Sequence, residues 1–358
     1  MSHGIRGGRL GGLAVALVVL AGFAACSDAL DANTAIGLQV AVANTAGGSV
    51  TLVDIQTFTT EDVPLAPGAT PTTMAVHDTL LLVALGDADA VEVLSPVGAS
   101  RVVPLAPGSG ATGVAIQDDS IAWVGQPGLG RVTRINYLRG DTTNSVAVGP
   151  VPQAVLIPGN GRIYVVNSNT PGSTPAGPSS ISWFDLVAVT PGGAAGRYGT
   201  IALTGANARF AAAGADGLIY VVMSGTPGVA DGRLSIVDPT TNLEVAVING
   251  LGELPGPAIY HPSGRLLIAS LAEGILEVNT TRRTLERGPG QGIKPGGAGV
   301  AGLAIDPRGR VYATAPGVCT DPGQLYLLQA PPDYRVVETV PVGVCPSAAA
   351  ILEMPPID

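Results

Sequence analysis

The side chains that could do chemistry are few: three cysteines (Cys26, Cys319 and Cys345), a single lysine (Lys294), and two histidines beyond His3, His77 and His261. Paired thiols form a disulfide in an oxidising compartment, or hold zinc when histidine is close. His77 and His261 stand at matching places, in Val76-His77-Asp78 and Tyr260-His261-Pro262. A strand enters its turn at both, so a turn role is expected and a Ser-His-Asp arrangement is not. Asp87 and Asp89 form a close acidic pair in a loop, read as a solvated turn, with a ligand set as the alternative. Gly288-Pro289-Gly290 lacks the strand, Lys-Ser/Thr and helix context of a phosphate loop. No cofactor and no metal are called for.

The first 25 residues form the expected leader, with Arg6 and Arg9 ahead of an apolar run, Leu13 to Leu20, that is too short to span a bilayer. Phe23-Ala24-Ala25-Cys26 resembles the lipobox of bacterial lipoproteins, with Phe23 where Leu is usual. The resemblance implies that Cys26 carries lipid and that residues 26–36 are a tether. Each buried CH₂ then contributes roughly 0.8 kcal/mol to anchoring. The alternative is an ordinary secretory signal with Cys26 incidental. Ser27 after the cysteine fits sorting to an outer membrane. The expected location is the cell envelope, lipid-anchored, at the outer membrane or on a periplasmic or extracellular face.

The elements that must position the remaining groups announce themselves as repeats. Val63-Pro64-Leu65-Ala66-Pro67-Gly68 recurs unchanged as Val103-Pro104-Leu105-Ala106-Pro107-Gly108. Around it runs a unit of four short apolar strands separated by Gly, Asp and Pro turns, a composition suited to strands rather than amphipathic helices. Seven second strands can be counted, beginning at Leu38 and ending with Arg310 to Ala315. Seven third strands end at Asp54, Ser95, Asn136, Asp185, Asp238, Asn279 and Gln329, mostly short polar side chains that start turns. The chain opens on a second strand and closes on a first strand, Ser347 to Met354. The last strand is therefore expected to complete the first blade and close the ring. The fold class is all-β, with residues 37–358 forming a seven-bladed β-propeller.

Tyr164-Val165-Val166-Asn167, Tyr220-Val221-Val222, Ser49-Val50-Thr51-Leu52-Val53-Asp54 and Ser235-Ile236-Val237-Asp238 resemble the YVTN family of β-propeller repeats. No copy spells the full family motif, and the second, third and sixth blades are degenerate. The resemblance implies a fold and leaves the function open, since that family spans surface-layer proteins, periplasmic proteins and relatives of lactonases.

Connectivity alone puts the loops after second and fourth strands on one face. The long insertions fall there: 167–180, 223–232, 288–300 and 315–323. Lengthened loops on a rigid scaffold carry function, so this is the candidate binding face, with Asn167, Asn169, Asp231, Lys294 and Asp321 as binding residues. Drift in Gly/Pro-rich linkers is the alternative. Cys319 and Cys345 share the face, and with Cys26 taken by lipid they form a natural disulfide pair worth roughly 3 kcal/mol; free buried thiols are the other reading. The residues entering the first strands on this face are Thr72, Thr112, Gln153, Asn207, Gly256, Ala301 and Ser347, with no carboxylate among them.

The formal charge of −9 becomes more negative once Arg6 and Arg9 leave with the leader. Nucleic acid and anionic membrane surfaces are thereby poor partners, so membrane contact is expected through the N-terminal lipid only. The expected function is non-catalytic binding of an envelope protein or small ligand. A lactonase-type hydrolase or lyase and a structural surface component are the alternatives.

Overall fold

The computed structural model describes residues 37–95, 100–186, 189–190, 193–194 and 197–354. Cys26, the leader (1–25) and the tether (26–36) lie outside the described residues.

Short strands rich in Val, Ile, Leu and Ala pair into seven four-stranded antiparallel sheets. Each sheet is one blade, and the blades stand in a ring. The strands nearest the axis are Pro346–Met354, Pro71–His77, Val114–Ile116, Pro152–Leu156, Ala208–Ala213, Ala258–His261 and Gly302–Ile305, for blades 1 to 7 in order. Ring closure is as expected: Pro346–Met354 pairs with Gly37–Asn44 and supplies the innermost strand of blade 1. Observed strand ends differ from the expected ones by a residue or two. Blade 4 also carries a small hairpin, Val189–Thr190 with Gly193–Ala194, between its third and fourth strands.

Second strands are almost wholly buried, and their apolar side chains meet those of the neighbouring blade. Leu82 and Val91 of blade 2 pack with Ile135 and Tyr137 of blade 3, for instance. Fully burying each such side chain contributes roughly 1.5–3 kcal/mol. An aromatic residue recurs in the second strand, and its polar tip is tied to the turn before it. Trp123 Nε1 donates to Gln117 (2.8 Å), Tyr220 to Asp216 (2.6 Å) and Tyr312 to Asp306 (3.3 Å), while Asn160 donates to the Tyr164 hydroxyl (3.0 Å). A buried hydroxyl or indole N–H needs such a partner, so turn and strand residues are chosen together.

Four of the seven polar ends of third strands start turns, while Asp185 instead accepts from Arg162 Nε at 3.0 Å. Asp54, Asn136, Asp238 and Asn279 accept backbone amides from Thr57 (2.7 Å), Arg139 (2.8 Å), Thr240 (2.7 Å) and Arg282 (2.8 Å). His77 and His261 lie at the ends of first strands, on the face away from the long loops, and both join blades. His77 Nε2 meets Asp119 at 3.2 Å. His261 accepts the Ser263 amide at Nδ1 (3.0 Å), leaving Nε2–H to donate to the Gly309 carbonyl (3.0 Å).

Candidate functional site

Just ahead of the innermost strands the chain repeats a three-residue step. Val151, Asn207, Leu254 and Cys345 hold left-handed φ between 45° and 60°, a conformation that asparagine adopts readily but that is unusual for Val, Leu and Cys. A buried Pro or Ala follows each, then a residue that faces the axis: Gln153, Arg209, Gly256 and Ser347. Thr72, Thr112 and Ala301 complete this ring of seven. In blades 1, 2, 4 and 5 the ring residue is the extra residue of a β-bulge, where the register slips between neighbours. Bulges re-aim side chains in this way.

The ring borders an axial cavity of about 590 Å³ that opens on the face of the long loops. That volume suits a small organic molecule. Its walls are largely apolar, including Met74, Val155, Phe210 and Leu303. At its mouth stand Leu254 and Leu271, 40 % and 63 % exposed. Leu129, Val229 and Val318 are further exposed apolar residues in loops of the same face.

Most hydroxyls at the mouth are committed to stitching blades together. Thr45, Thr72, Thr112 and Ser224 each donate to the carbonyl just ahead of the next ring residue, at Pro71 (3.0 Å), Ala111 (3.0 Å), Pro152 (3.2 Å) and Pro255 (2.9 Å). Arg209 differs. Its guanidinium is the one charged group in the described lining, and it makes no hydrogen bond or ion pair with the described residues. The Phe210 ring lies 5.9 Å away. Water reaches Arg209 through the cavity, yet the surrounding walls displace much of the solvent, and this burial holds the guanidinium below the usual arginine range. The Gln153 side-chain amide, on the neighbouring innermost strand, is also unpartnered, as is the buried Thr73 Oγ1 on blade 2.

Blade 5 therefore departs from expectation. Asn207 does not enter the ring. It aligns with Val151 and Cys345 at the left-handed position, is buried, and donates to the Gly225 carbonyl at 2.8 Å. The repeated x-Pro/Ala-x step identifies Arg209 as the ring residue, and spacing alone missed it.

The long loops and Cys319 and Cys345 do share one face, and the two cysteines are joined. The other expected binding residues do not converge on the axial cavity. Asn167 is fully buried and donates to Ser182 at 3.0 Å, inside its blade. Asn169 closes its own loop by donating to the Pro178 carbonyl at 3.2 Å. Asp231 accepts the Thr226 amide at 2.8 Å and lines a separate groove with Thr204, Gly205 and Arg233. Lys294 and Asp321 are exposed, and Asp321 accepts from Thr320 at 3.3 Å. Asp89, from the acidic pair, holds a neighbouring loop: it accepts from the Gly108 amide (2.6 Å), Ser109 Oγ (2.9 Å) and the Gly110 amide (2.8 Å). Among the described residues, no group of three or more His, Cys, Asp or Glu is placed to hold a metal ion.

No family model and no curated protein matches the chain. Solved structures do. A protein of unknown function from Desulfotomaculum acetoxidans is similar at 15 % identity and a TM-score of 0.62, over 88 % of this chain and 99 % of that one. Virginiamycin B lyase from Staphylococcus aureus is similar at 13 % identity and a TM-score of 0.59, over 87 % and 91 %. Apo AztD from Citrobacter koseri is similar at 11 % identity and a TM-score of 0.57, over 88 % and 98 %. At such identities the likeness shows a shared fold, and that fold is the β-propeller.

Proposed function

We propose that this chain is a non-catalytic binding module of the cell envelope, tethered by lipid on Cys26, which takes its ligand at the mouth of the axial cavity. The observation that carries the reading is the cavity itself, about 590 Å³, apolar-walled, and opening on the face that gathers the long loops and exposed leucines. The described lining offers Arg209 and Gln153 but neither histidine nor carboxylate to move a proton near neutral pH, which favours binding over hydrolysis or lysis. Assignment of the blades to the YVTN repeat family belongs to the same proposal and is supported by the recurring, turn-bonded Tyr164, Tyr220 and Tyr312.

The test is native mass spectrometry of the full chain from its own cells, beside Ala301→Trp, which fills the mouth from a ring position. A small molecule held by the first and lost from the second is expected. The same masses on both would remove the cavity as the site. Cys26→Ala should release the protein from membranes, and continued membrane association would count against the tether.

A further inference from the structure

We infer that the axial cavity binds an organic monoanion, an apolar body bearing one carboxylate, with the head group held between Arg209 and Gln153. This deepens the binding reading above and rests on it.

Three observations on the lining lead there. First, the mouth hydroxyls of Thr45, Thr72, Thr112 and Ser224, on blades 1, 2, 3 and 5, already donate to carbonyls of the next blade. Second, apart from the buried Thr73 hydroxyl on blade 2, the lining donors left over lie on neighbouring blades. Arg209 and Gln153 hold the same bulge position on neighbouring innermost strands, and neither side chain makes a hydrogen bond or ion pair with the described residues. A guanidinium offers a planar fork of N–H groups matched to the two oxygens of a carboxylate, and a primary amide adds one more N–H. Third, the described lining holds no counter-charge, so one cation is left to be matched by one anion.

The walls select the rest of the ligand. Met74, Val155, Phe210 and Leu303 favour an apolar body and would leave a bare inorganic ion with unfilled, poorly solvating space. A polyanion is disfavoured by a chain of formal charge −9. A phosphate monoester, as a dianion, would bring a second charge that the described lining does not match.

The test uses 4-phenylbutyrate and its uncharged isostere 4-phenylbutanamide, titrated calorimetrically into the full chain. The carboxylate is expected to bind roughly tenfold to a hundredfold more tightly than the amide, the worth of a charge-assisted hydrogen bond. Arg209→Gln should abolish that preference, and Arg209→Lys should keep part of it. Leu271→Asp, at an exposed position on the mouth, should weaken the carboxylate more than the amide. Equal affinity for the two probes, no binding of either at millimolar concentration, or an undiminished preference in Arg209→Gln would overturn the inference. Ala301→Trp separates the two readings. If both probes bind equally and Ala301→Trp removes them, cavity binding stands and the anion falls. If Ala301→Trp leaves carboxylate binding unchanged, the cavity itself is the wrong site.

Discussion

Cys319 is bonded to Cys345, the residue immediately ahead of the ring-closing strand Pro346–Met354, with their Cα atoms 4.4 Å apart. Blade 1 reaches the same junction, where the Thr45 amide donates to the Cys345 carbonyl (3.0 Å) and the Gly47 amide to that of Val344 (3.2 Å). The disulfide thus fastens a loop of blade 7 to the seam where the two ends of the propeller meet. Across a sequence separation of 26 it contributes about 3 kcal/mol in the chain-entropy account. The Cys319→Ser, Cys345→Ser double variant should melt about 5 °C lower by circular dichroism. Dithiothreitol should bring the native protein to the same Tm and leave the variant unmoved. A double variant that melts with the native protein would deny the seam this role.

Folding raises the hydroxyl pKa of Tyr137, Tyr220, Tyr312 and Tyr334. Burial, aided by the charges of Asp118, Asp119 and Asp78, pushes Tyr137 up to about 12. Burial raises Tyr220, Tyr312 and Tyr334 further, with hydrogen bonds to Asp216, Asp306 and Glu277 adding to it. A pKa raised by folding gives stability that is whole below the unfolded value, about 10, and is lost as pH rises through the folded one. Tyrosinate absorbance of the native protein and of Tyr334→Phe should therefore superimpose until the fold is lost at alkaline pH. A difference near pH 10 with near-ultraviolet circular dichroism intact would place the Tyr334 hydroxyl in solvent.

Blade number and ring closure are legible in the sequence because each blade repeats its strands and turns. The chain also opens and ends on complementary strands. The ring around the axis is legible at six of its seven positions. Blade 5 misleads because Asn207 is polar and well placed by spacing, whereas the bulge between Ala208 and Phe210 turns the next side chain inward instead. Asn167 misleads for a different reason. It ends a strand beside a long loop, but Gly149 from the connection out of blade 3 packs so closely that an added Cβ would sit 2.7 Å from the Asn167 amide carbon. Contacts between blades of that kind are set by how the sheets stack, which spacing along the chain does not encode.

Asp89 joins the second-to-third-strand turn of blade 2 to the loop that leads into blade 3. Hydrogen bonds from the Gly110 amide, then from Gly108 and Ser109, hold its carboxyl below the usual carboxylate range. A depressed pKa contributes stability above the unfolded value, and that contribution disappears as pH falls through the folded one. The native protein should melt above Asp89→Asn at pH 6, with the gap closing as pH drops below about 4. A gap that stays constant through that range would mean the carboxylate's charge plays no part in holding the loop.

Two glycines let innermost strands approach each other more closely than any side chain permits. A Cβ on Gly113 would lie 2.5 Å from the Gln153 carbonyl oxygen, and one on Gly302 would lie 2.7 Å from Ala348 Cα. These are the seams between blades 3 and 4 and between blades 7 and 1, and the obstructing atoms are backbone, which cannot swing aside. Gly302→Ala should therefore destabilise by about 1–3 kcal/mol, the usual cost of overpacking, read from urea unfolding. Gly113→Ala should carry a similar cost and also displace the strand that presents Gln153, so it is expected to weaken 4-phenylbutyrate binding where Gly302→Ala weakens it less. Gly172→Ala, in a loop with open space around it, serves as the neutral comparison. Gly302→Ala unfolding with the native protein would show that the ring can widen at its closing seam at no cost.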